Sequence, residues 1–378
     1  MIVTTLFSYI LTAANLLPIQ QAADTLVDSL PAPIYFEPAD SGKTRFYYDE
    51  QYYLADKNCQ YAQIERLSNF NALDRVFEGH FEDYGPNGNL ILEGNYAHGI
   101  KSGPFKAYHN NGKTKWEGAF ENNQPTGLWR YYYPDGRPFQ EISFENNKAA
   151  LVSYWNNRGN KEVTEGNGKY QFAVKAIDFN EYGYTFIQSR GRIKDGVPNG
   201  FWNIDYLFPG GKKEDAGYEQ FKNGIMLDGF DNYTGEEYDD KVRTSYIPPE
   251  SFSRAEELTS KNCNVDDHEG FNEYLRKRLE VSFSGYDATS LDPQHVIVKI
   301  KVSKSGLPLE IIADSTFANK IADHILLQAF RTIPYWIPSY SSGEYITDMF
   351  TISADAFPSL NSGLLEFYNV RIKREKGI

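Results

Sequence analysis

The sequence predicts a mainly β protein, in which an array of β-hairpins is followed by a small α+β domain. Three observations lead to this prediction. Several residue types recur every 24 positions between residues 84 and 165, which is typical of a stacked array of one small supersecondary unit. The chain contains 28 Tyr, 25 Phe and 5 Trp against 3 Met, and this aromatic content favours strands. After residue 270 the periodicity changes to segments of helix and strand.

Length and charge limit the organisation of the chain and its partners. With 378 residues it is too long for one ordinary hydrophobic core, so two or three domains are expected. It carries 51 acidic and 38 basic residues, and the net charge of -13 opposes non-specific attraction to phosphate backbones and anionic lipids. Nucleic acid is therefore not expected as a partner.

Residues 1–23 have the features of a secretory signal peptide. An apolar stretch from Ile2 to Leu17 is followed by the small residues Ala22 and Ala23, although no Lys or Arg precedes it. The alternative is a retained, buried N-terminal helix. No other stretch reaches the roughly 18 apolar residues of a membrane span, so no stable span is expected in the mature protein.

Residues 24–75 form a lead-in without a clear periodic pattern. They contain Cys59, and Cys263 is the other cysteine of the chain. The two can pair in an oxidising compartment. Because they are predicted to lie in different domains, two unpaired, buried thiols are an equal alternative.

Residues 76–245 are predicted to form the hairpin array. The residues that keep the 24-residue period are Glu93, Glu117, Glu141 and Glu165; Tyr84, Tyr108 and Tyr132; Gly88, Gly112 and Gly136; and Tyr96, Phe120 and Phe144. Asn111-Gly112 and Asp135-Gly136 predict type I′ turns, so each period is expected to be one hairpin. Alternation places Trp129, Tyr131 and Tyr133 on one face of the sheet. The pattern weakens after Glu165 and returns around Trp202.

Residues 246–269, which begin near Pro248-Pro249, are predicted to be a linker, and residues 270–378 a compact α+β domain. Apolar spacing predicts two helices, at residues 271–279 and 318–333, the second stopped by Pro334. Alternation predicts three strands, at residues 296–302, 307–312 and 345–354.

The array carries motifs that are known from one repeat family. They are the Glu-Gly pairs at residues 93–94, 117–118 and 165–166, the Gly-x-aromatic elements that begin at residues 103, 127 and 200, and the Asn-Gly or Asp-Gly turns. Over about residues 76–225 the chain thereby resembles the MORN-type repeat family, in its bacterial antitoxin-like variant. The resemblance implies an elongated sheet of hairpins that contacts protein or lipid, without a set of catalytic residues.

The C-terminal region carries a second set of motifs. They are the strand-turn-strand of residues 295–312, the helix that ends before Pro334, and Trp336, Pro338 and Gly343 ahead of the last strand. Over about residues 270–357 this region resembles the C-terminal domain of TonB, the energy transducer of Gram-negative envelopes. The resemblance implies a sheet edge that accepts a strand from an outer-membrane partner through its backbone groups. That family's transducers also carry an uncleaved membrane anchor and a long proline-rich spacer, and neither is expected in this sequence, so active energy transduction is not expected.

No constellation of side chains predicts an enzyme, a cofactor or a metal site, and the six histidines lack metal-ligand spacing. The repeated glutamates are interpreted as structural residues that bond the neighbouring turn, with a cation- or sugar-binding groove as the weaker alternative. Trp129 and Trp202 are expected to fill the core between hairpins. Tyr84, Tyr108 and Tyr132 are the candidates for a contact stripe.

The sequence thus predicts an exported, non-enzymatic protein of the periplasm or cell envelope of a Gram-negative bacterium. Its array would present a binding surface, and its C-terminal domain would dock by strand addition to an envelope protein, such as an outer-membrane protein. Two alternatives remain open. One is a periplasmic carbohydrate-active or hydrolytic enzyme that uses the glutamates, and the other is a cytoplasmic antitoxin-like regulator that retains residues 1–23.

Overall fold

The computed structural model describes residues 32–176, 179–268, 270–341, 344–359 and 362–375, without the side chains of residues 267 and 268. The predicted signal peptide, residues 1–23, and Gly343 lie outside these ranges. No helix within them is long and apolar enough to cross a membrane.

Most of the described chain forms one antiparallel sheet of eighteen strands. The strands are β1 (Phe36–Pro38), β2 (Thr44–Tyr48), β3 (Ile64–Asn71), β4 (Val76–Tyr84), β5 (Leu90–Ala97), β6 (Ile100–Lys101), β7 (Gly103–Tyr108), β8 (Thr114–Glu121), β9 (Gln124–Tyr132), β10 (Pro138–Glu145), β11 (Lys148–Trp155), β12 (Lys161–Thr164), β13 (Asn167–Lys175), β14 (Phe186–Lys194), β15 (Val197–Leu207), β16 (Lys213–Lys222), β17 (Ile225–Asp231) and β18 (Glu236–Tyr238). Each strand pairs with its neighbour in the chain, apart from β7, which returns to β5. The predicted mainly β fold is confirmed, and the lead-in contributes β1–β3 to the same sheet.

The hairpin turns are of two kinds, which alternate along the sheet. Asn122-Asn123 and Asn146-Asn147 have positive φ at both residues, which is the type I′ geometry. At the predicted Asn111-Gly112 turn only the glycine has positive φ, and the N–H of Gly112 donates to the carbonyl of His109. The same holds at Asp135-Gly136, where the N–H of Gly136 donates to the carbonyl of Tyr133, so the type I′ prediction is wrong at both turns. Each loop is longer, and a type I turn followed by one left-handed glycine closes it.

One face of the sheet carries a continuous aromatic core that runs from β2 to β16. Trp129 and Tyr131 are buried in it, 3% and 4% exposed. Trp129 lies on the backbone of Gly118, where an added Cβ would be 2.3 Å from the indole. Trp202 lies on Gly191 in the same way. In the Glu-Gly pairs at residues 93–94 and 117–118, the glycine is therefore the surface on which a ring of a neighbouring strand packs, whereas Gly166 lies against the backbone of Gly196.

After β18 the chain returns along this aromatic face. We call residues 243–261 the strap. Its backbone N–H groups at Arg243 and Thr244 donate to the buried carboxylate of Glu219, at 2.5 and 2.9 Å. Further along, the carbonyl of Tyr246 accepts a hydrogen bond from the hydroxyl of Tyr170, at 3.2 Å. The first residues of the strap are thus hydrogen-bonded to the sheet.

The second half of the strap covers the first repeats. Phe252, 3% exposed, packs on the rings of Phe105 and Trp116, each 5.9 Å away. Glu256 forms a 2.6 Å ion pair with Lys101. The strap ends where Ser260 pairs with Leu54, and the disulfide Cys59–Cys263 follows. Within residues 246–269, predicted to be a linker, Phe252 and Ala255 thus belong to the core of the array, and the two cysteines are paired.

The C-terminal region has the predicted order of helix, strand, strand, helix and strand. Its elements are α1 (Val265–His268), α2 (Phe271–Phe283), β19 (Gln294–Val302), β20 (Pro308–Ser315), α3 (Lys320–Arg331), β21 (Ser339–Ser341), β22 (Glu344–Ile346), β23 (Asp348–Pro358) and β24 (Leu365–Arg374). A four-stranded antiparallel sheet has the order β20-β19-β23-β24. The sequence prediction did not include β24, which covers the outer side of β23.

Candidate functional site

A row of charged residues crosses the face of the sheet opposite the aromatic core. Glu93 is in register with Lys106, Lys106 with Glu117, and Glu117 with Arg130. Arg130 is next in register with Glu141, and their side chains lie 3.7 Å apart. Opposite charges at directly paired positions stabilise adjacent strands. The glutamates of the repeat are therefore part of a charge-alternating ladder.

The repeated tyrosines bond to this ladder. The hydroxyl of Tyr108 donates to Glu93, and that of Tyr132 donates to Glu117 at 3.0 Å. Burial, reinforced by the hydrogen bond to Glu93, raises the pKa of Tyr108 to about 12. Tyr84 interacts with Glu82 of its own strand. The predicted contact stripe thus consists of half-buried rings whose polar ends already have partners.

Glu165 does not belong to the ladder, although it keeps the 24-residue period. It has φ +49° and forms a type I′ turn with Gly166, between β12 and β13. The prediction of a fourth equivalent glutamate is therefore wrong. The period fails here because β12 has only four residues, so the turn arrives early. Glu93 and Glu117 also bond tyrosine hydroxyls, rather than the neighbouring turns as predicted.

The element that contains Pro334, Trp336 and Pro338 joins the C-terminal region to the array. Trp336 is fully buried, meets the ring of Phe271 edge-on at 5.3 Å, and donates its backbone N–H to Gly306. Pro334 lies against Gly183 of the array, where an added Cβ would be 2.8 Å from its ring. Pro338 lines a cavity of about 360 Å³ next to Lys175 of β13. The described part of this element serves internal packing.

The four-stranded sheet has two outer edges. At β20, Leu309 is 61% exposed and Ile312 is 41% exposed. At β24, the helix α2 lies against the strand, and the exposed positions include Arg371 and Lys373. Charged residues protect an edge from pairing, whereas exposed apolar residues favour it. Glu310 and Asp314 are exposed on β20 as well, so its exposed aliphatic side chains are what distinguish this edge.

A third open edge lies within the main sheet. β12 pairs with β13 only at Val163 with Gly168 and at Thr164 with Asn167. β13 continues through residues 169–175, which pair with β14 on one side. On the other side, no strand pairs with these residues in the described part of the chain. We call this opening the β13 gap.

The local sequence explains why β12 ends. Gly168 has φ +152°, and the carbonyl oxygen of Glu162 lies 1.9 Å from the place where a Cβ would be. The pairing of β11 with β12 also shifts register between Tyr154 and Trp155. These two irregularities turn β12 away from β13, so the sheet opens beside Lys169.

The β13 gap borders a concavity of about 970 Å³. Aromatic rings from both sides of the gap line it. Tyr154 and Tyr170 approach to 4.7 Å between centroids, and Phe139 and Phe172 to 5.7 Å. Ligand pockets are commonly about 300–1,000 Å³ and mostly apolar, with few polar groups. The concavity has the size and the apolar lining of a binding site.

The polar lining of the concavity is mainly basic. Arg190 forms a 3.0 Å ion pair with Asp205. Arg158, Lys169 and Arg192 also line it, and no acidic partner of theirs is found among the described residues. Lys169 and Arg192 lie directly opposite each other on β13 and β14. Like charges directly opposite each other on paired strands destabilise a sheet. A bound anion would offset this repulsion, so the arrangement favours an anionic ligand.

Sequence reasoning missed the strap, β24 and the β13 gap. β24 had a signal in the sequence, and so did the basic lining of the concavity beside the gap. Arg190, Arg192 and Lys194 alternate along β14, which is typical of a basic strand face. In β24, Val370 and Ile372 alternate with Arg371 and Lys373. The gap had no such signal, because it depends on where β12 separates from its neighbour.

Comparisons with known proteins leave the chain without an assigned family. No protein-family model matches it, and no curated protein is similar to it. A solved structure described as "Crystal structure of GtfA/B complex" matches with a TM-score of 0.14 and 15% sequence identity. The match covers 38% of this chain and 23% of that chain. At this TM-score it supports no conclusion about fold or function.

Proposed function

We propose that this chain is an exported, non-enzymatic interaction protein of a Gram-negative cell envelope. The hairpin array serves as its binding surface, and the C-terminal sheet docks to an envelope protein by strand addition. The observation that carries the docking role is the open β20 edge, where Leu309 and Ile312 are exposed. An added strand would pair with its backbone and cover these two side chains.

The disulfide supports the proposed compartment. Cys59 and Cys263 are bonded across a sequence separation of 204 residues. Disulfides persist in the periplasm and outside the cell and are rare in reducing cytosol. This pairing favours export over a cytoplasmic antitoxin-like role. Mass spectrometry of the mature N-terminus provides the test, since cleavage after residue 23 is expected and a retained residue 1 would contradict export.

The charge ladder gives no support to the hydrolase alternative. A hydrolase needs carboxylates that are free to exchange protons or attack substrate. Glu93 and Glu117 instead accept hydrogen bonds from tyrosine hydroxyls and lie opposite basic residues. We therefore infer that these glutamates stabilise the array.

The docking role is tested by placing charges on the β20 edge. The Leu309→Lys/Ile312→Lys variant should lose cross-linked partners that the purified wild-type chain captures from envelope extracts, because edge lysines oppose strand pairing. The control is Tyr368→Lys on β24, a position that is 48% exposed. Loss in the β20 variant alone supports the proposal. Equal capture by all three proteins would contradict it.

A further inference from the structure

The β13 gap combines two features that are independent of each other. One is geometric, since residues 169–175 form a strand with a partner on one side only. The other is electrostatic, since Arg158, Lys169 and Arg192 line the adjacent concavity without acidic partners in the described part of the chain. A backbone edge recognises an extended chain, and the cations recognise negative charge.

We propose that the β13 gap binds an extended acidic peptide segment, which adds as a strand to β13. Alternate residues of β13 turn their N–H and C=O groups away from β14 and are available to the added strand. The acidic side chains of the peptide lie against Lys169 and Arg192, whose mutual repulsion they relieve. Its apolar side chains lie against the partly exposed ring of Phe172.

The charge of the whole molecule strengthens this assignment. The chain has a net charge of -13, so most of its surface repels an acidic peptide. The concavity is lined by five Lys or Arg and two Glu, namely Lys115, Arg158, Lys169, Arg190 and Arg192, with Glu162 and Glu250. Lys115 is paired with Glu250 at 3.3 Å. A local basic site on an acidic protein selects where an acidic ligand binds.

The open edge favours a peptide over an anionic glycan. A sugar chain interacts with the cations and the rings but offers no backbone ladder to β13. This inference rests on the proposed role of the array as a binding surface. It does not depend on docking by the C-terminal sheet, and the two sites are tested by different variants.

The test uses the full chain and a fluorescent octapeptide of alternating Glu and Val. We expect the peptide to raise fluorescence anisotropy on binding, with an affinity that falls as salt is added. The Lys169→Glu/Arg192→Glu variant should bind about tenfold more weakly, because two exposed charge pairs are lost. The matched control is Lys194→Glu, which lies on β14 like Arg192 but outside the lining of the concavity. This variant should bind the peptide normally.

Amide hydrogen exchange tests the mode of binding. Strand addition should slow exchange at those amides of residues 169–173 that point away from β14, whereas contact through side chains alone leaves these amides unprotected. Arg158→Glu, in an exposed turn, gives a second variant in case the double variant does not fold. It should also weaken binding.

Several outcomes would overturn the proposal. They are failure of the acidic peptide to bind, equal binding of a Lys-Val octapeptide, binding without protection of β13, and binding of oligogalacturonate in place of the peptide. The Leu309→Lys/Ile312→Lys variant should keep normal affinity for the octapeptide. Loss of affinity in that variant would place the site at the β20 edge and overturn the assignment to β13.

Discussion

Gly118 shows how a single residue type organises the repeat. The indole of Trp129 occupies the space where any other side chain would begin. The same relation holds between Gly94 and Phe105, and between Gly191 and Trp202. Glycine is needed at these positions because of close approach, whereas Gly112 is needed for its φ of +77° in open space.

These two roles of glycine predict different responses to substitution. Gly118→Ala should destabilise the protein by about 1–3 kcal/mol or more, because the new methyl group collides with Trp129. Combining it with Trp129→Leu should recover part of this loss, with a coupling of at least about 0.5 kcal/mol. Urea unfolding of the four proteins in the cycle measures the coupling.

Gly112→Ala provides the control for this cycle. Its cost should come from left-handed backbone strain and be additive with Trp129→Leu, within about 0.5 kcal/mol. Equal coupling in the two cycles would show that the ring does not pack on Gly118 as described.

At the scale of elements, the strap replaces a second layer of secondary structure. A sheet with one aromatic face must bury that face, and this protein does so with one irregular segment. Phe252 packs between the rings of Phe105, Trp116 and Phe120. The array and the strap therefore share one hydrophobic core.

This role of the strap predicts that one of its buried aromatic residues contributes strongly to stability. Phe252→Ala should lower the free energy of unfolding by about 3–5 kcal/mol, because it removes a buried ring and leaves a cavity. Val242→Ala, just before the strap and 55% exposed, should change it by less than about 0.5 kcal/mol. Similar denaturant midpoints for both variants would mean that the strap does not stabilise the core.

At the scale of the whole molecule, the buried tyrosines determine the response to alkaline pH. Burial raises the pKa of Tyr52 and Tyr170 well above the ordinary value of 10.0, and that of Tyr108 to about 12. In the unfolded chain tyrosine loses its proton near pH 10. The unfolded state therefore binds fewer protons than the folded state above this pH, and stability falls as pH rises.

We expect the denaturant midpoint to be independent of tyrosine ionisation below about pH 10 and to decrease between about pH 10 and 12. Tyr108→Phe should make this decrease shallower, since one raised pKa is removed. Tyr182→Phe, at a residue 39% exposed, is the control and should leave the slope unchanged. A midpoint that rises over this interval would contradict the assignment.

The disulfide also affects the stability of the whole molecule. Cys59 lies in the lead-in and Cys263 directly after the strap, so the bond connects the end of the strap to the segment between β2 and β3. Because the cysteines are distant in sequence, the bond removes much conformational freedom from the unfolded chain. It thereby holds the strap against the first strands.

The sequence by itself determined the hairpin array, since a 24-residue period of glycines and rings has few other structural solutions. It also determined the helix-strand order of the C-terminal region, because local apolar spacing decides which face of each element is buried. These features depend on residues close together in the chain.

Only the tertiary structure decided the features that join distant residues. The pairing of Cys59 with Cys263, the packing of Phe252 under Trp116, and the open edge beside Lys169 all depend on how the sheet is covered and where β12 ends. Periodicity describes how neighbouring hairpins stack. It carries no information about which remote segment fills the remaining face, because that choice is made by shape and burial after the sheet has formed.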